Sequence, residues 1–182
     1  MKTALALLAV ATVLVTSSLS ATQSGSEPEN PVVRAGIQES DGELTPEVQR
    51  YISRGDEQIA HLRFAAAARE YRRAADVARR EGHLPSGTTW MVASACFNGN
   101  DPLGAAAALD QLANEAALVG DLGVEALAIY NSAWLYGKAG RGIEMTARVT
   151  RLKGLLRSRY MPVAIRDHLV ERLNPPSEIA TY

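Results

Sequence analysis

The sequence predicts an all-α domain, a stack of about three antiparallel helical hairpins closed by a C-terminal capping helix. Three observations predict it. Apolar residues recur at helical spacing from Val48 to Leu173, while strand-like alternation is weak. Helix starts and stops are written repeatedly, as polar-Pro pairs and as glycine turns. Pairs of large residues also recur: Tyr51 and Phe64, Trp90 and Leu103, Tyr130 and Ile143 are each 13 residues apart, and each pair begins 39 or 40 residues after the last. Such a period marks hairpins that cannot bury their apolar faces alone and stack to do so.

Residues 1–20 read as a secretory signal peptide. Met1-Lys2 is a short positive start, Ala4 to Val15 is apolar save Thr12, and small residues around Ser18 and Ser20 suit cleavage. The alternative is a retained membrane anchor, but the apolar stretch is only 12 residues, against about 20 for a span. Residues 21–44 read as a flexible acidic linker. With five acids, one base and few large apolar side chains, the stretch buries too little surface to offset its ordering entropy. Its mean reach is about 25–30 Å.

Residues 45–174 form the helical-repeat domain. Thr45-Pro46 is a cap followed by Pro at the first helical position, and Val48, Tyr51, Ile52, Gly55, Ile59 and Leu62 follow at helical spacing. After a break near Arg63, a second helix aligns Phe64, Ala67, Ala68, Tyr71, Ala74, Ala75 and Ala78, with five arginines opposite; Gly82 ends it. A third helix starts at Thr88 or Thr89 and carries Trp90, Met91, Ala93, Ser94 and Phe97. Asp101-Pro102 opens a fourth through Leu109, Leu112, Ala113 and Ala116, and Gly120-Asp121 stops it. The fifth holds Leu127, Tyr130, Ala133, Trp134 and Tyr136; after Gly140-Arg141-Gly142, the sixth holds Ile143 through Leu156. Pro162 opens the capping helix, Asn174-Pro175-Pro176 closes the domain, and 175–182 is a C-terminal tail.

Within each hairpin the pattern resembles a tetratricopeptide repeat over about 45–157. The first unit matches best: Tyr51 then Gly55, and Phe64, Ala67, Tyr71 and Ala74 at that family's large–small spacing. The second keeps Trp90, Ser94, Phe97, Leu103, Ala106 and Ala113; the third keeps Tyr130 and Ile143 but has Trp134, Thr146 and Lys153 where small residues belong. The period also exceeds that family's 34 residues, which leaves a related two-helix repeat or an irregular bundle as the alternative. The resemblance implies a right-handed stack whose inner wall is built from first helices. Gln49, Ile52, Asp56, Met91, Asn98, Asn131 and Lys138 would line that wall and bind a protein partner as an extended peptide or helix. Ile52 and Met91 stand equally as core residues.

Catalytic signals are lacking. His61, His83 and His168 are isolated from each other and from metal-ligand spacing. Cys96 lies in a small-residue helix segment and reads as a buried hydrophobe. No phosphate loop, nucleophile elbow or carboxylate pair occurs. The expectation is no enzyme, no cofactor and no metal.

Charge is segregated. Glu81 to Leu135 contains six acids and no Lys or Arg, whereas Gly137 to Leu173 contains nine bases and three acids. One reading is an ordinary solvated face. The other is a basic docking face at Arg148, Arg151, Arg157 and Arg159 for an acidic protein or an anionic membrane surface. Nucleic acid is disfavoured, because export is expected and the basic region lacks interleaved aromatics. The functional expectation is a periplasmic or secreted adaptor of the bacterial envelope, an extrinsic subunit of a membrane complex, anchored if the leader is retained. A peripheral binder of anionic membrane is the alternative, and an enzyme without a recognisable motif is disfavoured.

Overall fold

The computed structural model describes residues 45–173; the expected signal, linker and tail lie outside the described residues. Among the described residues there are seven helices and no strand. They are α1 (Pro46–Ala60), α2 (Phe64–Arg80), α3 (Ser86–Asn98), α4 (Pro102–Val119), α5 (Leu122–Lys138), α6 (Gly142–Leu155) and α7 (Val163–Leu173). Each of α1 to α6 packs mainly on its chain neighbours, while α7 returns to α5.

Capping explains the boundaries. Thr45, Asp101 and Asp121 accept from the amides of Val48, Gly104 and Val124, occupying donors that helix starts leave free. Pro46 and Pro102 follow the first two caps. Ser86 begins α3 two residues earlier than the Thr88 start expected, because Pro85 serves as its N-cap.

The helix ends repeat one device. The three loops within hairpins, 61–63, 99–101 and 139–141, each place their middle residue in the left-handed region: Leu62 at φ 56°, Asn100 at 62° and Gly140 at 71°. The following amide then donates to the carbonyl five residues back, Arg63 to Gln58, Asp101 to Cys96 and Arg141 to Tyr136, at 2.8–2.9 Å. This is a Schellman ending, which satisfies terminal carbonyls. Gly82 and Gly120 end α2 and α4 the same way. Asparagine and glycine suit this conformation; a leucine in it costs about 1–2 kcal/mol, and Leu62 is mostly exposed.

The core is rich in alanine. Ala67, Ala74, Ala93, Ala105, Ala106, Ala113, Ala126 and Ala128 are fully enclosed among Leu109, Leu112, Ile129, Leu135, Leu152 and Leu169. Small side chains let helix backbones approach closely. Gly55 is the extreme case: a Cβ there would lie 2.2 Å from the Tyr71 ring, which packs across α1. Tyr71 donates to Asp56 at 2.7 Å, which fixes the ring over the glycine.

Side-chain contacts also join α2 to α4, α3 to α5 and α4 to α6. Phe97 of α3 meets Trp134 of α5 with ring centroids 5.3 Å apart. Arg79 of α2 pairs with Glu115 of α4 at 2.8 Å, and Arg148 of α6 pairs with Asp110 of α4 at 2.6 Å.

The expected equivalence of Tyr51, Trp90 and Tyr130 does not hold. Trp90 is only 5% exposed, whereas Tyr51 and Tyr130 are half-buried. Burial fixes a different register. Val48, Ile52 and Gly55 match Thr88, Val92 and Ala95, a shift of 40 residues; Val92, Ala93, Ala95 and Cys96 match Ala128, Ile129, Asn131 and Ser132, a shift of 36. Tyr51, Met91 and Leu127 therefore share one position. The shift shortens because two residues join α4 to α5, while five join α2 to α3.

Candidate functional site

In the register set by burial, α3 shows solvent a narrow stripe: Met91, Ser94, Phe97 and Asn98. The same stripe on α5 is Leu127, Tyr130, Trp134 and Lys138. These positions recur at intervals of three and four residues, so they line one face of each helix. Tyr130 stands where α3 has Ser94, and Trp134 where α3 has Asn98. Large aromatic side chains thus occupy α5 positions that α3 leaves small or polar.

The two stripes meet at Phe97 and Trp134, tilted at 51°. Lys138 sets its ammonium 5.2 Å from the Trp134 ring, and on α1 Arg50 and Arg54 flank the Tyr51 ring at 5.2 and 5.8 Å. The face is therefore an apolar and aromatic band edged by cations. Aromatic side chains edged by cations make a surface of the kind suited to contact with another molecule.

The residues expected to line this wall separate into two groups. Gln49, Asp56, Asn98 and Lys138 are exposed and Met91 is half-buried. Asp56 is engaged by Tyr71. Ile52 and Asn131 do not line the face: they are 5% and 1% exposed. Ile52 points into the α1–α2 core with Val48, and Asn131 is turned inward by the 36-residue register, its amide donating to Leu127 at 2.9 Å. Phe97, Leu127, Tyr130 and Trp134 were absent from the expected set. The signal for them was present, since Leu127, Tyr130, Trp134 and Lys138 share a helical stripe. The likeness of Tyr130 to Trp90 hides it.

The basic face separates as well. Arg148 is bidentate to Asp110 at 2.6 and 3.3 Å, and Arg151 reaches Glu125 at 2.6 Å and Asn114 at 3.0 Å. Both guanidiniums are thus engaged within the fold, although Arg151 keeps an exposed side. The physical reason is the stacking of the hairpins, which lays the bases of α6 alongside the acids of α4 and against Glu125 of α5. All six acids of the 81–135 segment have internal partners: Glu81 accepts from Thr45, Asp101 and Asp121 cap helices, and Asp110, Glu115 and Glu125 pair with arginines. A polar cleft of about 220 Å³ opens here between α4 and α6, lined by Asp110, Asn114, Ala147, Arg148 and Arg151. Tyr136 donates to Asp110 at 2.9 Å from one side. Burial first, then this bond, pushes the Tyr136 phenol up, and the bond that Arg148 donates to Asp110 strengthens protonation of Arg148. Arginine and carboxylate charges cancel in the cleft. Arg157 and Arg159, by contrast, are exposed.

Cys96 is buried, and burial pushes its thiol up, with Arg72 partly countering. That environment disfavours the nucleophilic thiolate. His61, His83 and His168 are exposed and apart, and among the described residues no cluster of three metal-ligating side chains occurs. Also among the described residues, no helix is long and apolar enough to cross a membrane. No family model, curated protein or solved structure matches this chain.

Proposed function

We propose that this chain is an exported, non-catalytic adaptor of the cell envelope, an extrinsic subunit of a membrane complex. Its hairpins α1–α2, α3–α4 and α5–α6 form a tetratricopeptide-like stack, with α7 in the place of the next first helix. Three features support the stack: the common hairpin turn, the α3–α5 ring contact, and the arginine pairs joining α2, α4 and α6. The first-helix face binds an extended peptide or a helix of a protein partner.

The observation that carries this reading is the band of Met91, Phe97, Leu127, Tyr130 and Trp134. These side chains pack against the core from one side and meet solvent on the other. Trp134 spends part of its ring on Phe97, and the part of the band left in solvent is available to a partner.

Site-directed photo-crosslinking in intact cells tests it. One protein should be captured from probes at Tyr130 and Trp134, and not from a probe at exposed Ala107 on α4. Met91→Glu should abolish that capture with the far-UV circular dichroism unchanged. Capture that is uniform across the three positions, or indifferent to Met91→Glu, refutes the proposal.

A further inference from the structure

One end of the helical array gathers the start of α1, the end of α4, the start of α5 and the α6–α7 loop. Thr45 donates to Glu81, which joins the start of α1 to the end of α2. Pro162 and Ile165 lie against Gly123, which brings the loop onto the start of α5. The pairs Asp110–Arg148 and Asn114–Arg151 set α4 against α6 with an offset of 38 and 37 residues. That register carries Leu118 and Val119 to the level of Leu155–Arg157.

Four large apolar side chains project from this end: Leu118 is 87% exposed, Tyr160 70%, Val119 67% and Val163 65%. Among the described residues no carboxylate pairs with Lys153, Arg157 or Arg159 beside them. The Arg159 guanidinium lies 4.6 Å from the Tyr160 ring centroid. The loop is held firmly, since Met161 is buried and Arg166 donates to the carbonyls of Ser158 and Met161 at 2.6 and 3.3 Å. Tyr160 and Arg159 are thus displayed on a fixed platform. The acids at this end are engaged elsewhere: Asp121 caps α5, Glu81 holds Thr45, and Glu47 lies 3.7 and 4.0 Å from Arg50 and Arg80. The opposite end exposes Leu62 and Ile143 beside the cation Arg63, while Arg141 there is neutralised by Glu144.

We infer that this end is a docking tip for an anionic lipid bilayer, separate from the partner face on α3 and α5. Three arguments select that occupant. Aliphatic and tyrosine side chains on a protruding end enter the headgroup boundary, and flanking cations meet anionic lipid. Tyrosine with an adjacent arginine suits the wet–apolar interface. The 44 residues that precede Thr45, including the apolar run Ala4–Val15, join the domain at this same end. Lys153, Arg157 and Arg159 approach headgroups while Leu118, Val119, Tyr160 and Val163 enter the boundary.

The test uses the full chain and sedimentation with vesicles of phosphatidylglycerol and phosphatidylcholine, against phosphatidylcholine alone. Every variant carries the same N-terminal segment, so differences between variants report the tip. Arg157→Glu with Arg159→Glu should weaken partition to the anionic vesicles roughly thirty-fold or more at low salt, from the worth of two lost cations. Leu118→Ser with Val119→Ser should weaken it comparably, while Arg63→Glu with Ile143→Ser, at the far end, should leave it unchanged. A second readout is fluorescence of Tyr160→Trp, which brominated phosphatidylglycerol should quench on binding. The inference is overturned if the tip variants, folded by circular dichroism, partition like the parent. It is equally overturned if the far-end variant is the one that loses binding, or if brominated lipid leaves Tyr160→Trp unquenched. Capture of a protein from this tip without vesicle binding also overturns it.

Discussion

Replacing Gly55 by alanine tests how tightly the first hairpin is closed. A helix-interior glycine normally costs about 1 kcal/mol relative to alanine, so helix propensity alone makes Gly55→Ala stabilising. Packing reverses the sign. The new Cβ would stand 2.2 Å from Cε1 and 2.5 Å from Cδ1 of Tyr71, where real carbon contacts begin near 3.5 Å. Tyr71 is buried and pinned to Asp56 at 2.7 Å. Either α1 lifts from α2 or the ring moves and stretches that bond. Overpacking costs about 1–3 kcal/mol, and weakening a hydrogen bond to a charged group about 1.5–3 kcal/mol. Net of propensity, the expected destabilisation is about 2–4 kcal/mol. In urea unfolding followed by circular dichroism, that lowers the midpoint by about 1–2 M. Gly154→Ala is the control, because nothing lies within 4 Å of its Cβ position; it should gain up to about 1 kcal/mol. Adding Tyr71→Leu to Gly55→Ala should recover part of the loss as a measurable coupling. A Gly55→Ala protein at least as stable as the parent refutes the close packing of α1 on α2.

Two further outcomes follow from the polar contacts. Burial, then the hydrogen bond and charge of Asp56, pushes the Tyr71 phenol well above its ordinary value near 10. Below that value Tyr71 is neutral in both states; above it the unfolded chain ionises while the folded protein does not. Stability should therefore fall as pH rises past about 10, by up to about 1.4 kcal/mol per unit from this group, and Tyr71→Phe should flatten that decline in denaturant midpoints measured across alkaline pH. Arg148 and Asp110 are each less than a third exposed and bidentate, so a double-mutant cycle to alanine should give a coupling of about 1 kcal/mol that shrinks in high salt. A coupling of zero would mean that the pair does not help to hold α6 on α4.

Much of the helix pattern was legible in the residues. Thr45-Pro46, Asp101-Pro102 and Gly120-Asp121 are local instructions, because caps and left-handed turns act through groups a few residues apart. The alanine stripe of α2 was legible for the same reason: helical periodicity is set by the chain itself. The turn at Leu62 was harder to read, since leucine carries no preference for the conformation it adopts there. Side-chain exposure on α5 is not legible in the residues: Tyr130 and Trp90 look alike in sequence, yet Tyr130 is half-buried and Trp90 lies in the core.

The chain alone determined the helices, their order and the segregation of charge. Tertiary structure decided which way each helix is rotated about its axis. A two-residue link rather than a five-residue one sets that rotation for α5, and so turns Tyr130 and Trp134 outward and Asn131 inward. It also decided which charges are spent internally: hairpin stacking lays Arg148 on Asp110 of α4 and Arg151 on Glu125 of α5, and leaves Arg157 and Arg159 at the tip. Local hydrogen bonds end helices, but only neighbours distant in sequence can hide one face and expose another.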